Sequence, residues 1–357
     1  MRMACVTPLQ ETLQNRRTTR LRTDQCAQLS GLTHLYKRNW ILPMIRVLLL
    51  ALSGALAMLA CYQADARTMN GFDLDGATIP VDQIESGGPP RDGIPAINDP
   101  KFLTADEADY MDGDDRVLGV DINGQAKAYP ISILNWHEIV NDKAGSQHFV
   151  VTYCPLCGTG MVFASNIADT ALIFGVSGLL YNSDVLLFDR NSESLWSQIL
   201  GEAVSGPLAG TPLPQLPAKH TTWTDWREQH PDTVVLSKDT GFQRSYSRSP
   251  YRGYERSRRL YFEVANEAPS DYHPKELVMG IEIDGVHKAY PFEELNEHGQ
   301  DRFQDTVNGQ QITVRWSEAS RSAWAEAEDG SSLPTTTGFW FAWYAFYPDT
   351  LVFKADA

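Results

Sequence analysis

From Val117 to Pro130, apolar and polar positions alternate on either side of Asn123-Gly124, a dipeptide suited to a two-residue hairpin turn. The spacing predicts a hairpin closed there, followed by a short helix with Pro130 in its first turn. A second pair of strand-like runs, Glu138 to Asp142 and His148 to Tyr153, predicts another hairpin turning near Ala144-Gly145. Farther on, Trp223-x-x-Trp226 predicts a short helix ahead of a strand over Thr233 to Leu236.

The same pattern returns later in the chain. The run Val117-Leu-Gly-Val-Asp-Ile-Asn-Gly-Gln-Ala-Lys-Ala-Tyr-Pro130 recurs without a gap as Val278-Met-Gly-Ile-Glu-Ile-Asp-Gly-Val-His-Lys-Ala-Tyr-Pro291. Gly119, Tyr129, Pro130 and His137 correspond to Gly280, Tyr290, Pro291 and His298. A second hairpin turns at Asn308-Gly309 and runs through Ile312 to Trp316, and the tryptophan pair reappears as Trp340-x-x-Trp343. Two matching blocks in the same order point to an internal duplication. The expected fold is therefore α+β and strand-rich, with two internally duplicated hairpin-helix-hairpin modules packed together. The expected divisions are a leader over 1–66, an N-terminal extension over 67–114 and a first repeat over 115–238. An Arg/Tyr-rich connector over 239–277 and a second, degenerate repeat over 278–357 complete them.

The leader reads as a targeting signal. Arg46 precedes an apolar run from Val47 to Ala60, and Ala64-Asp65-Ala66 has the form of a cleavage site. The run is short of the roughly 20 residues that a membrane span needs. Met44 would make a conventional start. The rival processing site is Leu59-Ala60-Cys61, which would place a lipid on Cys61 as the sole membrane attachment. Either reading expects an extracytoplasmic protein, periplasmic or secreted. Residues 67–357 hold 22 Lys+Arg against 42 Asp+Glu, a formal net charge of −20. That balance opposes nucleic-acid binding, which depends on neutralising phosphates.

Past the leader, the cysteines are Cys154 and Cys157, in Phe149-Val-Val-Thr-Tyr-Cys154-Pro-Leu-Cys157-Gly-Thr-Gly160. A strand-like run into Cys-Pro-x-Cys-Gly is similar to the knuckles of rubredoxins and zinc ribbons, where two sulfurs converge on one ion. No second knuckle exists, so a four-thiolate centre within one chain is excluded. Allowing a small difference in loop length, Tyr153-Cys154-x-x-Cys157 aligns with Trp316-Ser317-x-x-Ser320, and the second copy lacks both thiols. The expected site is a two-thiolate centre, with His137, His148 or Met161 as candidates to complete it. Such a donor set favours Cu(I) or another soft ion. The copper-chaperone lipoproteins of nitrous oxide reductase maturation carry a similar motif, and the similarity is confined to it.

Thiol–disulfide exchange by Cys154 and Cys157 on a non-thioredoxin scaffold, and a structural disulfide between them, stay open beside the metal reading. An insert over about Met161 to His220 supplies Asp189, Arg190, Trp196 and Gln198, which join Glu138 as candidates to line the site. The Asp189-Arg190 pair is read as a structural salt bridge ahead of a ligand-orienting one. The four repeated tryptophans are read as core. Arg244, Arg248, Arg252, Arg256, Arg258 and Arg259, interleaved with Tyr246, Tyr251 and Tyr254, could bind an anion, a glycan or a lipid headgroup, but their place between the repeats is read first as a linker salt-bridged to the acidic surface. Hydrolase elbows, phosphate-binding glycine loops and His-Glu-x-x-His are missing, so no nucleotide cofactor is expected. The partner class expected is a protein or a metal donor or acceptor.

Taken together, Gly87-Gly-Pro-Pro-Arg-Asp-Gly-Ile-Pro95, Asn135-Trp-His-Glu-Ile-Val-Asn-Asp142, the cysteine motif and Leu195-Trp-Ser-Gln198 resemble domain-of-unknown-function family 3179 over about residues 72–353. The resemblance implies an exported bacterial or archaeal protein and no established activity.

Overall fold

The computed structural model describes residues 67–167 and 170–355. The expectations placed on the leader, its start, its cleavage site and the lipid on Cys61 lie outside the described residues. Strands dominate the fold, and four seven-residue α-helices connect them among the described residues.

Arg116–Ile122 and Gln125–Pro130 form the first hairpin, in register from Val117 opposite Pro130 to Ile122 opposite Gln125. Its turn residues, Asn123 (φ 56°) and Gly124 (φ 75°), both take the left-handed conformation of a type I′ turn. Helix α1, Ile131–His137, starts one residue later than the sequence suggested, because Pro130 (ψ 130°) stays extended as the last strand residue. A proline costs a ladder little at a strand's end, where no donor is required. Ile139–Ala144 and Gln147–Cys154 then form the second hairpin. Lys219–Thr222 runs antiparallel along Arg116–Ile122, helix α2 (Trp223–Gln229) follows, and Val234–Leu236 returns parallel to Gln125–Pro130.

The later elements keep this order. Leu277–Ile283 pairs with Val286–Pro291 around Asp284 (φ 47°) and Gly285 (φ 80°), and helix α3 (Phe292–His298) follows. Arg302–Val307 pairs with Gln310–Ser317. Thr336–Phe339 lies antiparallel to Leu277–Ile283, helix α4 (Trp340–Phe346) follows, and Leu351–Val352 returns parallel to Val286–Pro291.

Individual contacts match as well. A Cβ on Gly119 would lie 2.3 Å from the Trp226 ring, and one on Gly280 would lie 2.2 Å from the Trp343 ring. Each indole closes on its sheet only because a glycine stands beneath it. Trp226 Nε1 donates to Thr233 and Trp343 Nε1 to Thr350, both at 2.9 Å. Asp142 receives Lys127 at 2.8 Å and the Tyr129 hydroxyl at 2.5 Å. Asp305 receives Lys288 at 2.6 Å and the Tyr290 hydroxyl at 2.7 Å. All four tryptophans of the two pairs are buried, as expected.

Thr336–Phe339 meets Thr159–Ala164 across Thr337 and Gly160, so a single eight-stranded sheet runs from Leu351–Val352 to Ile139–Ala144. Ser322–Glu326 in turn lies beside Lys219–Thr222, with Ser322 Oγ donating to the His220 carbonyl at 3.1 Å. Four strands of the insert and one of the N-terminal extension build a five-stranded sheet in the order Glu202–Ser205, Leu195–Ser197, Asp184–Asp189, Phe174–Tyr181, Ile84–Ser86. Its inner face packs Phe174, Leu187 and Trp196 into one apolar cluster with Phe163, Phe341 and both cysteines. From Ser237 to Glu276 the chain has neither helix nor strand.

Candidate metal centre

Cys154 ends the strand Gln147–Cys154 and pairs with Thr159, so Pro155-Leu156-Cys157-Gly158 forms the connecting loop. Gly158 takes φ 63°, and a Cβ there would sit 3.0 Å from the Phe339 ring. Both facts require glycine at this position. The later hairpin builds a loop of the same length: Ser317 pairs with Ser322, and Ser320 Oγ donates to Ser317 Oγ at 2.8 Å. The difference in loop length anticipated from sequence falls instead just after the helix. One residue separates His137 from the strand that follows α1, whereas three separate His298 from the strand that follows α3.

The insert delivers the rest of the site. Asn182 (φ 51°) and Ser183 (φ 66°) form the turn between Phe174–Tyr181 and Asp184–Asp189. Two left-handed residues without a glycine store strain, which surrounding contacts must hold. Here Asn182 donates to the Ala345 carbonyl at 3.3 Å and accepts from the Ala265 amide at 2.8 Å. The pinned turn aims the Ser183 carbonyl at both sulfurs, 3.3 Å from Cys157 Sγ and 3.8 Å from Cys154 Sγ. It also starts the next strand with Asp184. One carboxylate oxygen of Asp184 and the two sulfurs all lie within 4.8 Å of one another.

All three side chains are buried, at 2%, 0% and 0% exposure for Cys154, Cys157 and Asp184, and the two sulfurs are not bonded to each other. Burial sets their proton affinities. It pushes Asp184 up to about 7, against the Ile199 amide that donates to its Oδ2 at 3.1 Å. It raises Cys154, and raises Cys157 well above an ordinary thiol, with Cys154 and Asp184 adding to the latter. Glu138, in a left-handed conformation (φ 57°) at the end of α1, is pushed up to about 8 by burial, and nearby Asp184 adds to this. The Tyr251 hydroxyl donates to it and opposes the rise.

Asp184 Oδ1 and Ser183 Oγ are buried without a hydrogen-bond partner. Buried polar atoms are nearly always paired, and leaving one unpaired costs about 1–3 kcal/mol. A mainly apolar cavity of about 210 Å³ adjoins the site, reached by Glu138, Cys154 and Tyr251.

The other residues singled out by sequence fall in varied places. Gln198 stands directly behind the loop: it accepts from Thr159 Oγ1 at 2.6 Å and donates to Thr152 Oγ1 at 2.8 Å, tying both knuckle strands to the insert. Trp196 donates to Asp189 at 2.9 Å, and Asp189 also takes the amides of Asn191 and Ser192, so this pair braces the insert's own turn. Arg190 does not pair with Asp189; it forms a two-pronged ion pair with Asp92 at 3.0 and 2.6 Å. Met161 is buried in the same apolar cluster as both cysteines. Both ring nitrogens of His137 are engaged, by the Pro95 carbonyl at 2.8 Å and the Tyr246 hydroxyl at 2.7 Å. His148 lies at the far end of the strand from Cys154, opposite Lys143.

The connector arginines behave differently from expectation. Among the described residues none of the six forms an ion pair, and it is the tyrosines between them that pack inward, Tyr254 being 3% exposed. Sequence reasoning missed Asp184, Ser183 and Tyr251 at the site. One signal was available for Asp184: it is the sole charged residue between Leu179 and Phe188, an odd place for a carboxylate without a task.

The fold and site thus define a strand-rich α+β protein with a buried two-thiol, one-carboxylate centre. The chain belongs to the family described as "Protein of unknown function (DUF3179)", whose model matches residues 91–350. Comparison with curated proteins found no match, and comparison with solved structures found none.

Proposed function

We propose that the protein binds one thiophilic metal ion through Cys154, Cys157 and Asp184, and serves outside the cytoplasm as a metal carrier or maturation factor. The observation that carries this reading is the convergence of two unbonded thiols and a buried carboxylate within 4.8 Å, beside an unpaired carboxylate oxygen. A cation there would offset part of the charge of the three donors and end the isolation of Asp184 Oδ1. The carboxylate changes the expected ion. Sulfur alone suits Cu(I), whereas two thiolates with an oxygen donor also suit a borderline ion such as Zn²⁺. A carrier must also let its ion go, and Tyr251 of the connector lines the cavity through which an ion would reach Cys154.

Thiol–disulfide exchange has the unbonded pair in its favour. It has the raised thiols against it, since exchange needs a thiolate and burial here favours the protonated form. Titration of the reduced protein with Zn²⁺ and with Cu(I), each against a competing chelator, separates the readings. Uptake of one equivalent that is lost in the Cys154→Ser, Cys157→Ser double variant supports the metal site. Equal weak uptake by both proteins removes it, and a measurable dithiol–disulfide potential would then favour exchange.

We further propose that residues 115–238 and 278–353 descend from one duplicated module, on the strength of their common element order and matched glycine–tryptophan contacts. Export rests on the leader sequence. Mass spectrometry of the mature N-terminus distinguishes cleavage near Ala66 from an acylated Cys61, and a mature chain beginning at Met1 would refute both.

A further inference from the structure

A larger cleft of about 750 Å³ borders the same loop at Tyr153, Pro155 and Gly158. Its lining carries five cations, Arg116, Arg252, Arg256, Lys275 and Arg321, against Glu255 as its sole acid. None of the five forms an ion pair among the described residues, although residues 67–357 carry a formal charge of −20. These five come from both halves and the connector, yet face one space.

Two of them are held in place with no carboxylate to neutralise them. Arg116 donates to the carbonyls of Ser320, His220 (2.8 Å) and Arg321 (3.2 Å). Lys275, 5% exposed, donates to the carbonyls of Ser257 and Arg259 (2.8 Å) and lies 3.7 Å from the Tyr254 ring centre. Burial lowers Arg116 to about 10, with Arg321 adding to the effect, and lowers Lys275 to about 8. A desolvated cation without an acid is costly, and a bound anion offsets that cost. The cleft also holds two unpaired buried polar atoms, the Tyr254 hydroxyl and His220 Nδ1, on residues 3% and 8% exposed.

We propose that this cleft binds a small organic anion bearing two or more carboxylate or phosphate groups. The guanidinium fork matches either oxyanion in two-pronged fashion, which explains why arginine supplies four of the five cations. The volume falls within the range of about 300–1,000 Å³ typical of small-molecule sites. Tyr251 lines both this cleft and the cavity at Cys154, so an anion bound here would lie across one side chain from the thiols. The site does not depend on a metal.

The test is calorimetry on the reduced, metal-free protein, with citrate and pyrophosphate as probes. Saturable binding that weakens as salt rises is expected, because exposed charges are screened over about 10 Å at 0.1 M. The variant Arg252→Gln, Arg256→Gln, Arg321→Gly removes three exposed cations, and glycine suits the φ of 45° at residue 321. It is expected to bind at least about tenfold more weakly, since charged hydrogen bonds are removed, with its melting temperature kept. Should that variant melt early, Arg252→Gln alone makes the same comparison. Tighter citrate binding assigns carboxylates and tighter pyrophosphate binding assigns phosphates. The Cys154→Ser, Cys157→Ser protein should bind the same anion unchanged, which keeps this site separate from the metal reading. Failure of both probes to saturate at millimolar concentration, or undiminished binding by the arginine variants, overturns the proposal.

Discussion

If Cys154, Cys157 and Asp184 share an ion, binding must expel their protons, and the number expelled has to change with pH in a definite way. Burial holds both thiols above the ordinary cysteine value, so each stays protonated through neutral pH and loses its proton on coordination. Asp184 lies at about 7, so it brings a third proton to the reaction in acid and none in base. Each proton released adds one unit to the slope of log K against pH. The slope should therefore be about three well below neutrality and about two well above it, bending near pH 7. Asp184→Asn should weaken binding and give a slope of about two throughout. Glu138→Gln should keep the bend, because Glu138 lies outside the trio. Zn²⁺ competition titrations across this range, with proton release followed by an indicator dye, make the measurement. Release of less than about one proton per ion would refute thiol coordination, and a bend that survives Asp184→Asn would refute the carboxylate's part.

The contribution of Asp184 and Glu138 to the stability of the metal-free protein should fall as pH rises, while the buried histidines, His220 above all, act in the opposite sense. Asp184 is raised from 3.8 to about 7 and Glu138 from 4.5 to about 8, so their stabilising contribution is full below the unfolded values and lost through the folded ones. At about 1.4 kcal/mol per unit, Asp184 alone accounts for on the order of 4 kcal/mol between pH 4 and 8. The stability of the wild type relative to Asp184→Asn should drop over that window in urea unfolding, and a flat difference would contradict the burial argument. Gly119→Ala and Gly280→Ala each force a methyl into an indole ring, and each should cost about 1–3 kcal/mol in urea unfolding. A neutral result at either position would mean that the ring moves aside freely. Gln198→Leu strands the Thr159 hydroxyl, removes the donor to Thr152 and should loosen the loop, lowering metal affinity roughly 10- to 100-fold at the same stoichiometry. Unchanged affinity would reduce Gln198 to a packing role.

Much of the scaffold was legible in the sequence because its causes are local. Asn123-Gly124, Asp284-Gly285 and Asn308-Gly309 name their turns through the left-handed backbone that few other pairs accept. Period-two alternation named the strands, the tryptophan pairs named their helices, and Cys-Pro-x-Cys-Gly named the loop between two strands. The site itself was only half written there. Ser183, 26 positions from Cys157, reaches the sulfurs because the insert's sheet packs its inner face against the knuckle strands, bringing Asp184 with it. His137, adjacent in sequence to a residue that does reach the site, is drawn away by Pro95 and Tyr246. The connector arginines read as surface charge or as an anion site, and only the fold gathered Arg252 and Arg256 with Arg116, Lys275 and Arg321 around one cleft. Turn chemistry and side-chain period act over a few residues and can be read in order along the chain. Which distant carboxylate meets a thiol, or which cations go without an acid, depends on how buried faces close over one another, and that is settled only when the whole core packs.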